Sequence, residues 1–225
     1  MYKTSFIRKK HLSQHVWEFE FRTPEGFNYL PGQYAHFHLP SAHDSPQSTH
    51  YRTFSITTLP QSKSVKFITR IEPMHSPYKQ QLLDLLPGDS AVIDEPMGDM
   101  VLPLQTDRPL IFVAQGIAIA SFLPLIAECD RSGIPHPITL LWAKRAEDDT
   151  GKIRISSENR LIHQLDFVSP QRLGIADILE YDSSTSLIYI SGSEQFTMDL
   201  VNQLRISDID DSRIIFDYFS GYEVV

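Results

Sequence analysis

The sequence predicts two domains, a six-stranded antiparallel β-barrel over residues 1–104 followed by an α/β domain with a parallel sheet over residues 105–225. Three observations carry this. In the first half the apolar residues alternate with polar ones at strand period, whereas after Pro103 they come as unbroken runs separated by helical segments. Pro- and Gly-bearing turns punctuate the first half at short intervals. The 225 residues suit two domains of roughly 100 to 120 residues each.

The strands of the first half follow in order. Residues 16–22 set Trp17, Phe19 and Phe21 against Glu18, Glu20 and Arg22, and residues 65–71 repeat the pattern with Val65, Phe67, Thr69 and Ile71. Shorter runs at 3–8, 34–39, 51–57 and 91–94 bring the count to six, and closing them into a barrel removes exposed edges. One helix interrupts them: Ser76 can cap it, Pro77 fits its first turn, and Leu82, Leu83, Leu85 and Leu86 form an apolar stripe that Pro87-Gly88 ends. In the second half, buried-type strands are predicted at 109–114, 138–142, 187–190 and 214–216, with helices at 119–129, 175–179 and 195–204. Strands alternating with helices imply a parallel sheet with right-handed crossovers that binds its ligand beyond the carboxyl ends of the strands.

Composition excludes several classes. Hydrophobic residues make up 41% of the chain, enough for real cores. No apolar run reaches the ~20 residues that a membrane span requires, and residues 1–10 lack the apolar stretch of a signal peptide, so a cytoplasmic protein without membrane insertion is expected. The net charge of -8 argues against nucleic acid as a partner. One cysteine, Cys129, excludes a disulfide framework and a Cys-ligated iron–sulfur cluster within these residues. His36 and His38 share a strand face near His43 and His50, but no carboxylate or thiolate accompanies them at useful spacing, so no metal site is assigned.

The residues that point to chemistry begin with Arg52-Thr53-Phe54-Ser55, which follows the turn Pro31-Gly32-Gln33-Tyr34. A cation, an aromatic and a hydroxyl at strand spacing suit a flavin dinucleotide: Arg52 to fork onto pyrophosphate oxygens, Phe54 to cover the ribityl or ring edge, and Ser55 to sit near the reactive nitrogen. With Ser76-Pro77-Tyr78, Leu86-Pro87-Gly88-Asp89, Glu95-Pro96-Met97-Gly98, Ser191-Gly192-Ser193 and Phe219-Ser220-Gly221-Tyr222 in this order, the chain resembles the ferredoxin-NADP reductase superfamily, flavin reductases included. That resemblance implies a FAD-binding barrel followed by a Rossmann-like NAD(P)-binding domain. It implies FAD contacts from Tyr34, Arg52, Thr53, Phe54, Ser55, Thr69, Ile71, Met74, His75, Ser76 and Tyr222, with Ser55, Ser191 and Phe219 at the reacting centre. Met74 stands where relatives usually carry a glycine.

The nucleotide loop departs most. Relatives resemble Gly-Gly-x-Gly-Ile-x-Pro, whereas this chain reads Gln115-Gly116-Ile117-Ala118-Ile119-Ala120-Ser121, and Ala118 is expected to put a methyl where phosphate approaches the backbone. Gly116, Ile117, Ala118, Arg145 and Gly192 are the expected nicotinamide-dinucleotide contacts. Arg145 would favour NADPH and the acidic Glu147, Asp148 and Asp149 would favour NADH, which leaves the choice open. The activity implied is hydride transfer from NAD(P)H to FAD, with electrons passed to a small redox protein or other separate acceptor. A reductase of free flavin, or a flavin-bearing electron-transfer or regulatory subunit without nicotinamide activity, are the alternatives. Residues 148–184 resemble nothing recognisable.

Overall fold

A computed structural model describes residues 1–40, 51–103, 108–133, 138–145, 153, 155 and 162–219. Six strands form the first sheet: β1 (Tyr2–Ser13), β2 (Val16–Arg22), β3 (Tyr34–His38), β4 (Tyr51–Ser55), β5 (Ser64–Arg70) and β6 (Ser90–Ile93). Their order is β4-β3-β6-β1-β2-β5, and every pairing is antiparallel. The expected full closure is looser than a ladder. Among the described residues β4 and β5 are not paired in register, and the sheet curls shut through one backbone bond just past β4, from Thr57 N–H to the Lys66 carbonyl at 2.8 Å.

The curled sheet wraps a core of aromatic rings. Phe19, Phe21, Phe37 and Phe67 are fully buried, and Phe54 stacks on Phe67 with centroids 3.9 Å apart and planes 3° from parallel. Helix α1 (Pro77–Asp84) closes one end; Ser76 Oγ caps it by accepting from the Lys79 amide. Its stripe is narrower than expected, since Leu82 and Leu85 are buried while Leu86 is 66% exposed.

The second sheet comprises β7 (Leu110–Gln115), β8 (Ile138–Lys144), β9 (Ile162–Val168), β10 (Leu187–Ser193) and β11 (Ile214–Phe219), all parallel, in the order β11-β10-β7-β8-β9. Three helices accompany it: α2 (Leu123–Ser132), α3 (Ile175–Tyr181) and α4 (Glu194–Ile206). The helix expected at 119–129 starts late because residues 116–121 form a 3-10 turn and Pro124 sits in the first turn of α2, where its missing N–H is harmless. Strand β9 has no counterpart in the sequence reading. It lies at the sheet edge with His163, Gln164 and Asp166 outward, so its apolar signal is too sparse to read as a buried strand. The expected domain boundary at 104/105 lies outside the described residues. No helix among the described residues is long and apolar enough to cross a membrane.

One apolar cluster crosses from sheet to sheet. Val16, Ile68 and Met100 from the first half pack with Leu110, Phe112, Phe122 and Leu125 from the second. The turn at Pro31-Gly32 sits in this seam, where Gly32 has φ +96° and a Cβ would lie 1.9 Å from the Met100 carbonyl oxygen and 2.9 Å from Leu125 Cδ2. Neither the conformation nor the space admits a side chain. Beside it Tyr189 Oη donates to the Val101 carbonyl at 2.9 Å, tying β10 to the segment that leaves the barrel. Gly32→Ala should therefore destabilise the chain by at least about 2 kcal/mol, strain and overpacking combined. A melting curve unchanged by the substitution would refute this account of the seam.

Candidate functional site

The β3–β4 ladder decides which side chains face the site. Its register pairs Tyr34 with Ser55, Ala35 with Phe54, His36 with Thr53 and Phe37 with Arg52. Alternation then sends Ala35, Phe37 and Phe54 into the aromatic core and turns Tyr34, His36, Thr53 and Ser55 to the other face. These four floor a cavity of about 220 Å³ whose far wall is Asp217, Tyr218 and Phe219 of β11. The cavity thus lies between the two sheets.

Phe54 is corrected by this geometry. It does not line the cavity but braces it from behind, 7% exposed and stacked on Phe67. Arg52 shares the Phe54 face at its open end, with its Nη1 donating to the Tyr51 carbonyl at 2.8 Å and its guanidinium carbon 5.4 Å from the Tyr78 ring centre. Burial pushes the Lys79 ammonium below its ordinary range, and the nearby Arg52 and Arg70 charges push the same way against Glu72. Three cations therefore converge near the start of α1. Met74 is 93% exposed there, and His75 is held by the Glu72 carbonyl at 2.7 Å and the Gln80 side chain at 2.9 Å. Thr69 and Ile71 are buried, Ile71 in the barrel core.

The turn motifs of the first half meet at Tyr34. Its amide donates to the Met97 carbonyl and its carbonyl accepts from the Met97 amide, at 3.0 and 2.8 Å, while Gln33 Nε2 donates to the Gly98 carbonyl at 3.2 Å. The Pro-Gly-Gln-Tyr and Glu-Pro-Met-Gly segments are thus one knot, and it sets the aromatic side of the cavity.

Sequence reasoning missed Asp217 and His36. Burial pushes the Asp217 carboxyl above the usual range, although the Tyr218 amide donates to it at 2.8 Å. Burial likewise raises the Tyr34 phenol, helped by the Asp217 and Asp99 charges. An acid on the same strand face as Ile215 and Phe219, in an otherwise apolar strand, was the available signal. His36 and His38 do have a carboxylate, supplied by β6 across the sheet: Asp94 Oδ2 lies 3.4 Å from His36 Nδ1 and 2.9 Å from His38 Nε2. Burial would raise the Asp94 carboxyl, but the two imidazoles prevail and hold it below the usual range. Among the described residues no group of three or more His, Cys, Asp or Glu could hold a metal ion; His43 and His50 lie outside them.

At the strand ends of the second sheet, the chain order reverses between β7 and β10, the place where open parallel sheets take ligands. Gln115 spans that crevice: its Oε1 accepts from the Ser193 amide at 3.0 Å. Gly192 is required there, since a Cβ would fall 2.6 Å from Phe196 Cδ1 and 2.9 Å from Gln115 Cβ. Ser191 is 1% exposed, and its hydroxyl has no hydrogen-bond partner among the described residues. Gly116 turns with φ +55° and its carbonyl accepts from Trp142 Nε1 at 3.0 Å. Ala118 is fully buried in the 3-10 turn, so its methyl is not exposed at the crevice, and Ile117 is half-buried beside it. Arg145 is exposed just past β8, whereas Glu147, Asp148, Asp149 and Tyr222 lie outside the described residues.

With this geometry in hand, no protein-family model matches the chain. It is 28% identical over 150 residues to the anthranilate 1,2-dioxygenase electron transfer component of Acinetobacter baylyi, covering 65% of this chain and 39% of that protein. It is 26% identical over 172 residues to the ferredoxin–NAD(P)+ reductase component of the Pseudomonas putida naphthalene 1,2-dioxygenase system, covering 72% and 50% respectively. A Neisseria gonorrhoeae ferredoxin NADP+ reductase solved with FAD and NADP superposes over 96% of this chain and 97% of its own, with a TM-score of 0.75 at 13% identity. A flavohemoglobin from Malassezia yamatoensis, solved with FAD and heme, gives a TM-score of 0.78 at 16% identity over 97% of this chain and 60% of its own. These relatives and neighbours are ferredoxin reductase-type FAD/NAD(P)-binding oxidoreductases. The two-sheet ferredoxin reductase-type fold is the fold of this chain. The chain spans half or less of the length of the two relatives it matches here.

Asp217 makes the site sensitive to pH in a definite direction. Its carboxyl holds a proton more readily folded than unfolded, so stability falls as pH rises from the ordinary carboxylate range through the raised folded value. Asp217→Asn should raise the melting temperature at pH 7, and the gain should vanish below about pH 4. A gain that persists at low pH would mean that the carboxyl is not the cause.

Proposed function

We propose that the chain is the flavin- and nicotinamide-binding part of a cytoplasmic oxidoreductase that takes a hydride from NAD(P)H onto FAD and passes electrons to a separate acceptor. The observation that carries this reading is the cavity between the sheets, floored by the Tyr34–Ser55 and His36–Thr53 pairs and walled by Asp217, Tyr218 and Phe219. Its polar floor and aromatic wall suit a flat heteroaromatic ring with hydrogen-bonding edges. Its 220 Å³ falls short of the roughly 300–1,000 Å³ of sites that enclose a whole drug-sized ligand, so it suits the ring end of a dinucleotide whose remainder runs outside it.

In this reading Tyr34, Thr53 and Ser55 hold the ring and Phe219 covers it, while Arg52 and Ser76 at the start of α1 hold the pyrophosphate. Flavin supplies hydride acceptance and stepwise electron release when bound. The chain's own contribution is orientation, exclusion of water by the apolar seam, and an acid, Asp217, poised to hold a proton beside the Ser55 floor. The 225 residues hold one cysteine, Cys129, which cannot build a four-thiolate cluster, so in this reading the electron acceptor lies outside them. The relatives, electron transfer and reductase components of oxygenase systems, support a small redox protein or an oxygenase as that acceptor.

A second reading, a flavin-bearing electron-transfer unit without nicotinamide activity, is favoured by one observation: Gln115 bridges the crevice in which the other dinucleotide would lie. An anaerobic spectrum of the purified protein, before and after NADH and then NADPH, separates the two. Bleaching of a bound flavin supports the first; flavin that neither donor bleaches supports the second; absence of flavin and of any affinity for it defeats both.

Two substitutions extend the test. Arg52→Ala should weaken FAD binding by about one to two orders of magnitude, the worth of a charge-assisted contact of about 1.5 to 3 kcal/mol, as read by flavin fluorescence titration. Full retention would remove Arg52 from the pyrophosphate site. Gln115→Gly should tighten binding of reduced nicotinamide about five- to tenfold, because the Ser193 amide is released and the crevice opens. A slightly lower melting temperature should accompany it, from the roughly 0.5 to 1 kcal/mol entropic cost of glycine. Unchanged affinity for both donors would show that Gln115 obstructs nothing.

A further inference from the structure

We infer that Ser121 is a positioning residue that makes Ser55 a hydrogen-bond donor into the cavity. This rests on reading the cavity as a flavin site. Ser121 ends the 3-10 turn of the second half, at the place where relatives resemble proline, and its Oγ lies 3.0 Å from Ser55 Oγ at the cavity floor. Both residues are buried, at 2% and 6% exposure. The contact joins the barrel to the nucleotide-side turn across the seam.

Each hydroxyl has one proton, which leaves two ways to order the pair. If Ser55 donates to Ser121, the Ser121 proton needs an acceptor, and among the described residues Ser121 Oγ has no second partner. A buried hydroxyl proton would then go unpaired, which disfavours that order by about tenfold or more. If Ser121 donates to Ser55, its own proton is satisfied. The Ser55 proton is left to point into the cavity that Ser55 lines. The second order needs an acceptor only in the cavity, where an occupant can supply it, so the cavity floor presents a donor whose direction is set from the other half of the molecule. A residue without a hydroxyl at position 121 would leave Ser55 free to rotate and to act as an acceptor.

The consequence falls on redox balance. A ring nitrogen that accepts a hydrogen bond in oxidised flavin carries a proton in reduced flavin, so a fixed donor beside it favours the oxidised state. Removing the Ser121 hydroxyl should therefore raise the midpoint potential, by about 30 mV if the lost preference is tenfold in a two-electron couple.

The test uses the full chain loaded with FAD, as wild type, Ser121→Ala, Ser121→Thr, Ser55→Ala and the double variant Ser55→Ala/Ser121→Ala. FAD affinity is measured first by fluorescence titration, then the midpoint potential anaerobically against reference dyes. Expected are a raised potential in Ser121→Ala, a wild-type value in Ser121→Thr, which keeps the hydroxyl, and no difference between Ser55→Ala and the double variant. A merely structural role would move stability but would not make the potential depend on Ser55. The inference is overturned if Ser121→Ala binds FAD and keeps the wild-type potential, or if its shift persists in the Ser55→Ala background. Should Ser121→Ala fail to fold, a wild-type potential in Ser121→Thr supports the assignment and a displaced one overturns it. A wild-type chain that takes up no FAD defeats the functional reading itself, and this inference falls with it.

Discussion

The site exists because two sheets of different construction are held face to face by one apolar seam. Val16, Ile68 and Met100 from the barrel interleave with Phe112, Phe122 and Leu125 from the parallel sheet, and Gly32 lets the barrel turn come within contact of Met100 and Leu125. Removing that contact would separate the Tyr34–Ser55 floor from the Asp217–Phe219 wall, because the two come from opposite sides of the seam. A large buried area is what such a junction needs, since interfaces between domains of one chain are otherwise prone to relative motion. Here the seam also carries directional contacts, Tyr189 to Val101 and Ser55 to Ser121. Hydrophobic burial holds the halves together without fixing their direction, and these hydrogen bonds add a defined orientation.

How much of this was legible in the sequence follows from how local each signal is. Strand period alone located five of the barrel strands within a residue or two, and the cap at Ser76-Pro77 placed α1, because these depend on neighbours a few positions away. Strand β1 was located but runs five residues beyond the predicted end, to Ser13, since its polar second half carries no period. Strand β9 was missed for the related reason that an edge strand needs no apolar face. The choice of face was the larger error. Alternation put Arg52 and Phe54 together, which holds, but not which side was buried; Ala35 and Phe37 on the paired strand carried that information, and only the register joins them to Phe54. The meeting of Asp217 with the cavity floor and the Asp94–His38 contact were illegible for a similar reason, being made across the seam or across the sheet, although an acid in an apolar strand was itself visible.

The substitutions in the nucleotide loop gain a structural account that spacing could not give. Gln115 looked like a lost glycine, yet its side chain has a defined partner in the Ser193 amide and forces glycine at position 192. Ala118 looked like an obstruction, yet it is fully buried within the 3-10 turn. Ser121 replaces a residue that could not donate, and it found Ser55. Two of the three departures, Gln115 and Ser121, are thus accommodated by hydrogen bonds of their own side chains.

Electrostatics completes the account of the cavity. The chain as a whole is acidic, but its cations are not spread evenly: Arg52, Arg70 and Lys79 gather near α1, while Asp217, the only carboxylate lining the cavity among the described residues, is driven toward its neutral form by burial. Asp94, close by under His36 and His38, is driven the other way and stays ionised. Two carboxyls near one cavity thus have their pKa values pushed apart, one toward holding a proton and one toward holding a charge. An ionised Asp94 keeps its pair of imidazoles oriented and so fixes His36 at the floor, while the upward shift of Asp217 makes a neutral opposite wall easier to reach. A wall acid biased toward its neutral form places less negative charge against the cavity than an ordinary carboxylate would, which favours a ring that gains electrons.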